Sequence, residues 1–266
     1  MNNITIGQYI PGNSILHRAD PRTKLIATIL YMVMLFVSDG PVGLACSAAL
    51  LIAAVSTSKV GWKLVLRSLK TILIVVIFTA VINLLVIKEG TVLVNFWLIT
   101  ITTGGVFTTL RLIVRLFLLI MGVSLLTFTT TPISLTDGIE TMFKPLNKIK
   151  VPVHDIAMMM TIAIRFVPPL MEEAGRITRA QASRGADYTS GGLMARVKGF
   201  FPILLPMIVG AFTRADQLAD AMEARCYRGG EGRTKFNKLA FTKVDVYLTV
   251  ILCLYTLAMI LAKIFL

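Results

Sequence analysis

Long apolar runs alternate with short polar segments along most of this chain. Five runs are prominent, at Leu25–Val37, Val42–Val55, Thr71–Ile87, Leu112–Phe128 and Val246–Leu261. A helix that crosses a bilayer needs about 20 mostly apolar residues, with about 17 as the lower limit. The first two runs reach that length only with flanking polar residues, so a tight helical hairpin is expected there. The pattern predicts five membrane-spanning helices.

Residues 130–243 break this pattern, because they are too polar for ordinary spans and yet contain apolar stretches. We predict a cytoplasmic layer of amphipathic helices, partly embedded under the membrane. Caps at Thr131-Pro132 favour a short helix that ends at Phe143. Two long helices are predicted after it, at Ile156–Arg184 and Met194–Arg225, each interrupted by prolines.

The fold class that follows is an all-α polytopic membrane protein, with about five transmembrane helices and a layer of long amphipathic helices. We expect an N-terminal membrane domain at 1–129 with about four spans, a cytoplasmic helical domain at 130–243 and a C-terminal transmembrane helix at 244–266. An amphipathic stretch at Trp97–Thr109 is expected at the outer interface.

Composition and charge place most basic residues on one side of the membrane. The chain is 56% hydrophobic and 15% charged, with a mean hydropathy of +0.78, whereas soluble domains are about 25% charged. The net charge of +13 is compatible with nucleic-acid binding, but the basic residues lack the aromatic interleaving that is typical of RNA-binding proteins, so no nucleic acid is expected. In the five-span topology, 23 of the 27 Lys and Arg fall on one side. The positive-inside rule then predicts a cytoplasmic amino terminus.

Motifs for autonomous chemistry are absent from the sequence. No phosphate-binding loop, dinucleotide fingerprint or metal-ligand cluster occurs, and the predicted spans hold no Asp or Glu. A proton- or sodium-coupled carrier usually needs such carboxylates. Neither a cofactor nor a membrane enzyme is therefore expected. The alternative function is a self-sufficient carrier of an anionic solute through Arg111 and Arg115, although snorkelling toward outer headgroups explains these two residues more simply.

One arginine ends each predicted long helix, and small residues flank both. A cation in the last helical turn is favoured by about 0.3–1 kcal/mol, so a structural role is one reading. Small neighbours would also let the guanidinium enter a narrow groove and bind a carboxylate bidentately. The pattern leaves both roles open. The candidate docking residues are Ser183, Arg184, Gly185, Ala224, Arg225 and Cys226.

Acidic residues form a stripe on the second long helix, at Asp216, Asp220 and Glu223, and Glu172 and Arg176 are spaced as a pair on the first. A solvated charged face or a ladder of ion pairs between the helices is the favoured interpretation. A cation site is the weaker one.

The two arginine sites resemble the paired Ala-Arg-Gly signatures of the transmembrane T component of energy-coupling factor transporters. Further matches, in the same order and spacing, cover nearly the whole chain: His17–Lys24, Thr129–Pro132, Ile164–Pro168 and Ala221–Gly230. Ser183 replaces the signature Ala and Cys226 the signature Gly, and both substitutes are small.

This resemblance implies a multi-pass protein of a bacterial plasma membrane that contains no catalytic site or cofactor of its own. Two cytoplasmic ATPase subunits would each take one signature arginine into a surface groove. A small substrate-binding membrane protein, the S component, would lie against the long helices, which are called coupling helices in this family. Closure of the ATPases would move these helices, and the S component would release a vitamin or metal ion inward.

Overall fold

Helices form most of the structure. The computed structural model describes residues 9–37, 40–96, 99–185, 193–229 and 239–265. Its helices are α1 (Ile15–Arg18), α2 (Pro21–Val37), α3 (Pro41–Ser58), α4 (Trp62–Val86), α5 (Thr103–Thr129), α6 (Pro132–Phe143), α7 (Val153–Ser183), α8 (Leu193–Ala224) and α9 (Lys243–Phe265). A 3₁₀ helix (Lys144–Ile149) follows α6. The predicted all-α polytopic class is confirmed, with one small hairpin added to it.

Local capping signals set the first residues of two helices. Asp20 Oδ1 accepts the backbone N–H of Arg22 at 2.9 Å, and α2 begins at Pro21. In the same way, Thr131 Oγ1 accepts the N–H of Ser134 at 3.2 Å, and α6 begins at Pro132. Both starts agree with the sequence. The long helices α7 and α8 also begin and end within one turn of their predicted bounds.

The hairpin occupies part of the segment that was expected to be amphipathic. Strands β1 (Val92–Phe96) and β2 (Ile99–Thr102) pair in antiparallel fashion. Thr102 then caps α5, because its hydroxyl oxygen accepts the N–H of Gly105 at 3.2 Å. Of the predicted stretch Trp97–Thr109, residues 97 and 98 lie outside the described residues. The remainder divides into a strand and the first turns of α5.

The chain divides into two compact units. One contains Gly7–Met142 together with Lys238–Leu266, and the other contains Phe143–Asn237. We call them the bundle unit and the long-helix unit. In the bundle unit, α2, α3 and α9 pack against one another, and α5 packs against α2, α3 and α4. The long-helix unit consists of α7 packed against α8, with the 3₁₀ helix against α7. The predicted three-part division stays a prediction.

The bundle unit has an apolar core that also contains buried polar contacts. Leu35, Val55 and Phe128 are almost completely buried in it. The hydroxyl groups of Ser47 and Tyr255 hydrogen-bond at 2.8 Å within the same core. A side chain at Gly122 would collide with the ring of Tyr31, only 2.8 Å from an added Cβ. Glycine therefore allows α5 to approach α2 closely.

Among the residues that the structure describes, five helices are long and apolar enough to cross a membrane. They are Pro41–Ser58, Thr103–Thr129, Val153–Ser183, Gly199–Ala224 and Lys243–Ile264, and α4 is a sixth if its segments Trp62–Lys70 and Ile72–Val86 count as one span. Length and composition thus admit α7 and α8, which the sequence analysis assigned to the cytoplasmic layer. Helix α2 has 17 residues, at the lower limit for a span. The chain is a multi-pass membrane protein.

Candidate docking site

The end of α7 presents Arg184 at the C-cap position. The backbone N–H of Arg184 bonds to the carbonyl oxygen of Gln181 at 3.0 Å, and the N–H of Gly185 bonds to that of Ala182 at 3.0 Å. Gly185 has a φ of +85°, in the left-handed region where glycine carries no steric cost. The helix therefore ends in a left-handed turn, with the arginine directly before it.

The end of α8 has the same construction around Arg225. The N–H of Cys226 bonds to the carbonyl oxygen of Glu223 at 2.8 Å, and the N–H of Tyr227 bonds to that of Met222 at 3.0 Å. These two bonds define a Schellman motif, in which the residue after the C-cap is left-handed. Cys226 occupies that position with a φ of +56°.

Arg184 and Arg225 thus occupy equivalent backbone positions on two different helices. Each is the last residue before a left-handed turn, and all six candidate docking residues are exposed. The sequence predicted small neighbours as a way to clear space for the guanidinium. The structure shows a second reason for a small residue after each arginine, because the backbone there is left-handed and that conformation favours glycine. The substitution of Cys226 for the signature glycine is accommodated, at a steric cost of about 1 kcal/mol.

An ion pair links the two long helices farther from their ends. Arg214 of α8 donates from Nη2 to Oε2 of Glu173 on α7. Ion pairs between the helices were expected from the sequence, but at Glu172, the neighbouring residue. Glu172 is exposed, and so is the acidic stripe Asp216, Asp220 and Glu223. The spacing of charges along one helix does not reveal which of them faces the other helix.

The segment His17–Lys24 packs largely inside the bundle unit, because Ala19, Asp20, Thr23 and Lys24 are buried, whereas Arg18 is exposed. Asp245, which is 2% exposed, accepts the backbone N–H of Asp20 at 2.7 Å through Oδ1. Its Oδ2 accepts both the N–H and the hydroxyl of Thr242 at 2.7 Å, the capping arrangement for the start of α9. One carboxylate therefore connects the starts of α2 and α9.

Arg22 and Lys24 extend this buried group, which we call the polar cluster (Asp20, Arg22, Lys24 and Asp245). The guanidinium of Arg22 pairs bidentately with Asp20, at 3.1 Å and 2.9 Å, and its Cζ lies 4.6 Å from the centroid of the Phe241 ring. The ammonium of Lys24 donates to the carbonyl oxygen of Thr129, the last residue of α5, at 3.0 Å. The cluster joins α2, α5 and α9.

Arg111 and Arg115 lie on α5 and are only partly exposed. The Arg115 guanidinium lies 5.9 Å from the centroid of the Phe36 ring, near the last turn of α2. An arginine over an aromatic face gains cation–π attraction. This contact suits an anchoring role and uses the guanidinium for packing.

The chain also has clear relatives among known proteins. The family model described as cobalt transport protein matches residues 12–236. A protein named energy-coupling factor transporter transmembrane protein EcfT from Ruminiclostridium cellulolyticum is 51% identical over 249 residues, which are 94% of this chain and 93% of that protein. A protein of the same name from Bacillus subtilis is 43% identical over 261 residues, or 98% of each chain. A third, from Thermosediminibacter oceani, is 49% identical over 246 residues, 92% of each.

These similarities extend over both compact units and over both arginine-bearing helix ends. The chain therefore belongs to the family of transmembrane components of energy-coupling factor transporters.

Proposed function

We propose that this chain is the energy-coupling scaffold of a micronutrient importer in a bacterial plasma membrane. Two cytoplasmic ATPase subunits bind to it, one at Ser183–Gly185 and the other at Ala224–Cys226. The region 130–243 is the coupling domain, and it passes the motion of the ATPases to one S component. The S component binds the vitamin or metal ion, and the scaffold performs no catalysis itself.

The observation that carries this proposal is the matched position of Arg184 and Arg225. Two exposed arginines, each at the end of a helix about 31 residues long, suit two copies of one kind of groove or two closely related grooves. Arginine binds a carboxylate through two parallel hydrogen bonds, which gives such a contact both strength and orientation. A purely structural charge at a helix end would not require exposure.

A second observation supports contact with another membrane protein. The side chains of Phe201, Leu205 and Phe212 on α8 are between 59% and 69% exposed. An exposed apolar face on a helix that also carries acidic residues near its end suits a protein partner in or beneath the membrane. The S component is that partner in our proposal.

Orientation is part of the same proposal. Most Lys and Arg fall on one side of the predicted topology, and the coupling domain contributes the majority of them. The positive-inside rule places this side, with the amino terminus, in the cytoplasm. Both signature arginines would then face the compartment that contains ATP.

Reconstitution in liposomes distinguishes the scaffold from a self-sufficient carrier. We expect the chain alone to transport neither radiolabelled riboflavin nor Co²⁺. Addition of ATPase subunits and an S component should produce ATP-dependent uptake of whichever probe that S component binds. Uptake of an anionic solute by the chain alone, driven by an ion gradient, would instead establish the carrier.

A further inference from the structure

The two long helices meet at a small cluster of three residues. Glu173 of α7 pairs with Arg214 of α8, and the two side chains are only 22% and 27% exposed. Gly210 lies one turn before Arg214, and a Cβ on it would be 3.3 Å from Oε1 of Glu173. A larger residue would press on the carboxylate, so glycine preserves the close approach at this point. We call these residues the crossing cluster.

The crossing cluster lies at the same distance from the arginine-bearing carboxyl end of each helix. Glu173 precedes Arg184 by eleven residues, and Arg214 precedes Arg225 by eleven residues as well. At 1.5 Å per residue, each arm is roughly 16 Å long. Eleven residues are also close to three full turns, so each signature arginine follows its crossing residue on nearly the same helix face.

Prolines lie just before the crossing on both helices. Pro168 and Pro169 precede Glu173 in α7 by about one turn, and Pro206 precedes Gly210 in α8 by one turn. Proline has no N–H to donate and disturbs the preceding turn, so each helix is more easily bent there than elsewhere. From the crossing to the arginine, neither helix contains a further proline. Each arm is therefore a stiff segment that begins beside a weak point.

We infer that Glu173 and Arg214 form the pivot of the two coupling helices. The ion pair keeps the arms in fixed register, so a displacement of either arginine is carried through a common point to the proline-containing segments beyond it. Glu173 and Arg214 are positioning residues, since they act through the helices and touch neither ATPase nor substrate. This inference rests on the proposed scaffold function.

A pivot and a merely stabilising contact have different consequences. Loss of a stabilising contact would lower the amount of assembled complex and leave each assembled complex equally efficient. Loss of a pivot would leave assembly and ATP hydrolysis in place, but less of the motion would reach the S component. The ratio of substrate molecules imported to ATP molecules hydrolysed therefore separates the two roles.

The test uses the full complex of this chain, its ATPase subunits and an S component in liposomes. The variants are Glu173→Gln, Arg214→Gln and the exchange Glu173→Arg with Arg214→Glu, and Glu172→Gln is the exposed control one residue away. We expect both single variants to retain the ATPases and to lower uptake per ATP about fivefold, the factor that corresponds to a partly exposed ion pair. The exchange should restore most of the loss, and the control should match the wild type.

Two results would overturn the inference. One is an unchanged ratio of uptake to ATP hydrolysis in both single variants, whether or not less complex assembles. The other is an exchange variant that assembles normally and remains as uncoupled as the single variants. Docking is judged separately, because it is measured by the ATPase subunits that copurify with the chain. A failure of the scaffold proposal would appear there, before any coupling ratio is measured.

Discussion

The polar cluster of the bundle unit and the arginine ends of the long-helix unit use the same kinds of residue in opposite ways. In the polar cluster, Arg22 and Lys24 are directed toward a carboxylate and backbone carbonyls of their own chain. At the helix ends, Arg184 and Arg225 are exposed. Both regions match family motifs. Burial and hydrogen-bond partners, which the motifs do not reveal, distinguish the internal contacts of the polar cluster from the exposed arginines that we propose as docking residues.

This difference has an energetic basis. A buried ion pair that loses one partner leaves an uncompensated charge in an apolar surrounding, so such clusters hold a fold rigidly. An exposed arginine costs little when it is unpaired, because water solvates it, and it remains available to a partner. Substitutions in the polar cluster are therefore expected to change the stability of the fold, whereas substitutions of the exposed arginines are expected to change ATPase binding and leave stability nearly unchanged.

The largest effect is expected from charge reversal at both helix ends. Arg184→Glu combined with Arg225→Glu should abolish ATP-driven uptake, since each lost charge-assisted contact is worth about 1.5–3 kcal/mol and reversal adds repulsion from an acidic groove. Thermal unfolding of the isolated chain should be unchanged. Arg179→Glu, an exposed residue of α7, is the matched control and should retain uptake. Full uptake by the double variant would show that these residues do not dock.

The next effect concerns the polar cluster. Asp245→Ala should reduce the free energy of unfolding by about 2–3 kcal/mol, because it leaves the buried N–H of Asp20 without its acceptor and removes one of the two carboxylates near Lys24. Thermal unfolding in detergent measures this loss. Asp220→Ala, which changes an exposed acid of α8, should alter stability by less than about 0.5 kcal/mol. An equal loss of unfolding free energy in the two variants would contradict the proposed difference between the polar cluster and the exposed charges of the long helices.

A smaller effect is expected at the end of α8. Cys226→Gly relieves the left-handed strain at that residue and should stabilise the helix end by up to about 1 kcal/mol. Hydrogen exchange at the amide of Tyr227, which bonds to Met222, should slow accordingly. Copurification of the ATPases should be retained. Faster exchange, or loss of the ATPases, would mean that the cysteine side chain stabilises the helix end or contacts a partner.

The smallest effect is expected from Arg111→Ala. This residue lies on the same face of α5 as Arg115, and anchoring at lipid headgroups requires no specific contact with a solute. Uptake by the assembled transporter should fall less than about twofold, the factor that corresponds to a few tenths of a kcal/mol. A normal complex that has lost uptake would assign the arginine a part in transport.

Much of the fold was predictable because it depends on neighbouring residues. The Asp20-Pro21 start of α2, the Thr131 cap of α6 and the lengths of α7 and α8 all follow from local patterns. The position of both candidate arginines at helix ends was predictable for the same reason. That both arginines stand directly before a left-handed residue could be predicted only for Arg184, which a glycine follows. At the other helix end Cys226 takes the left-handed position, and a cysteine does not indicate such a turn.

The contacts between distant segments were not predictable from periodicity. Asp20 and Asp245 are separated by 225 residues, and no local pattern marks them as partners. Glu173 and Glu172 are adjacent and chemically equal, so only helix packing selects the one that meets Arg214. The short hairpin after α4 was also missed, because its residues are apolar enough to be read as part of a membrane-interface segment.

The most direct test counts the ATPase subunits that one chain retains. Native mass spectrometry of the purified complex can compare the wild type with Arg184→Glu, Arg225→Glu and the double variant. We expect two bound subunits for the wild type, one for each single variant and none for the double variant. Two subunits retained by all four proteins would contradict the claim that each signature arginine holds one ATPase.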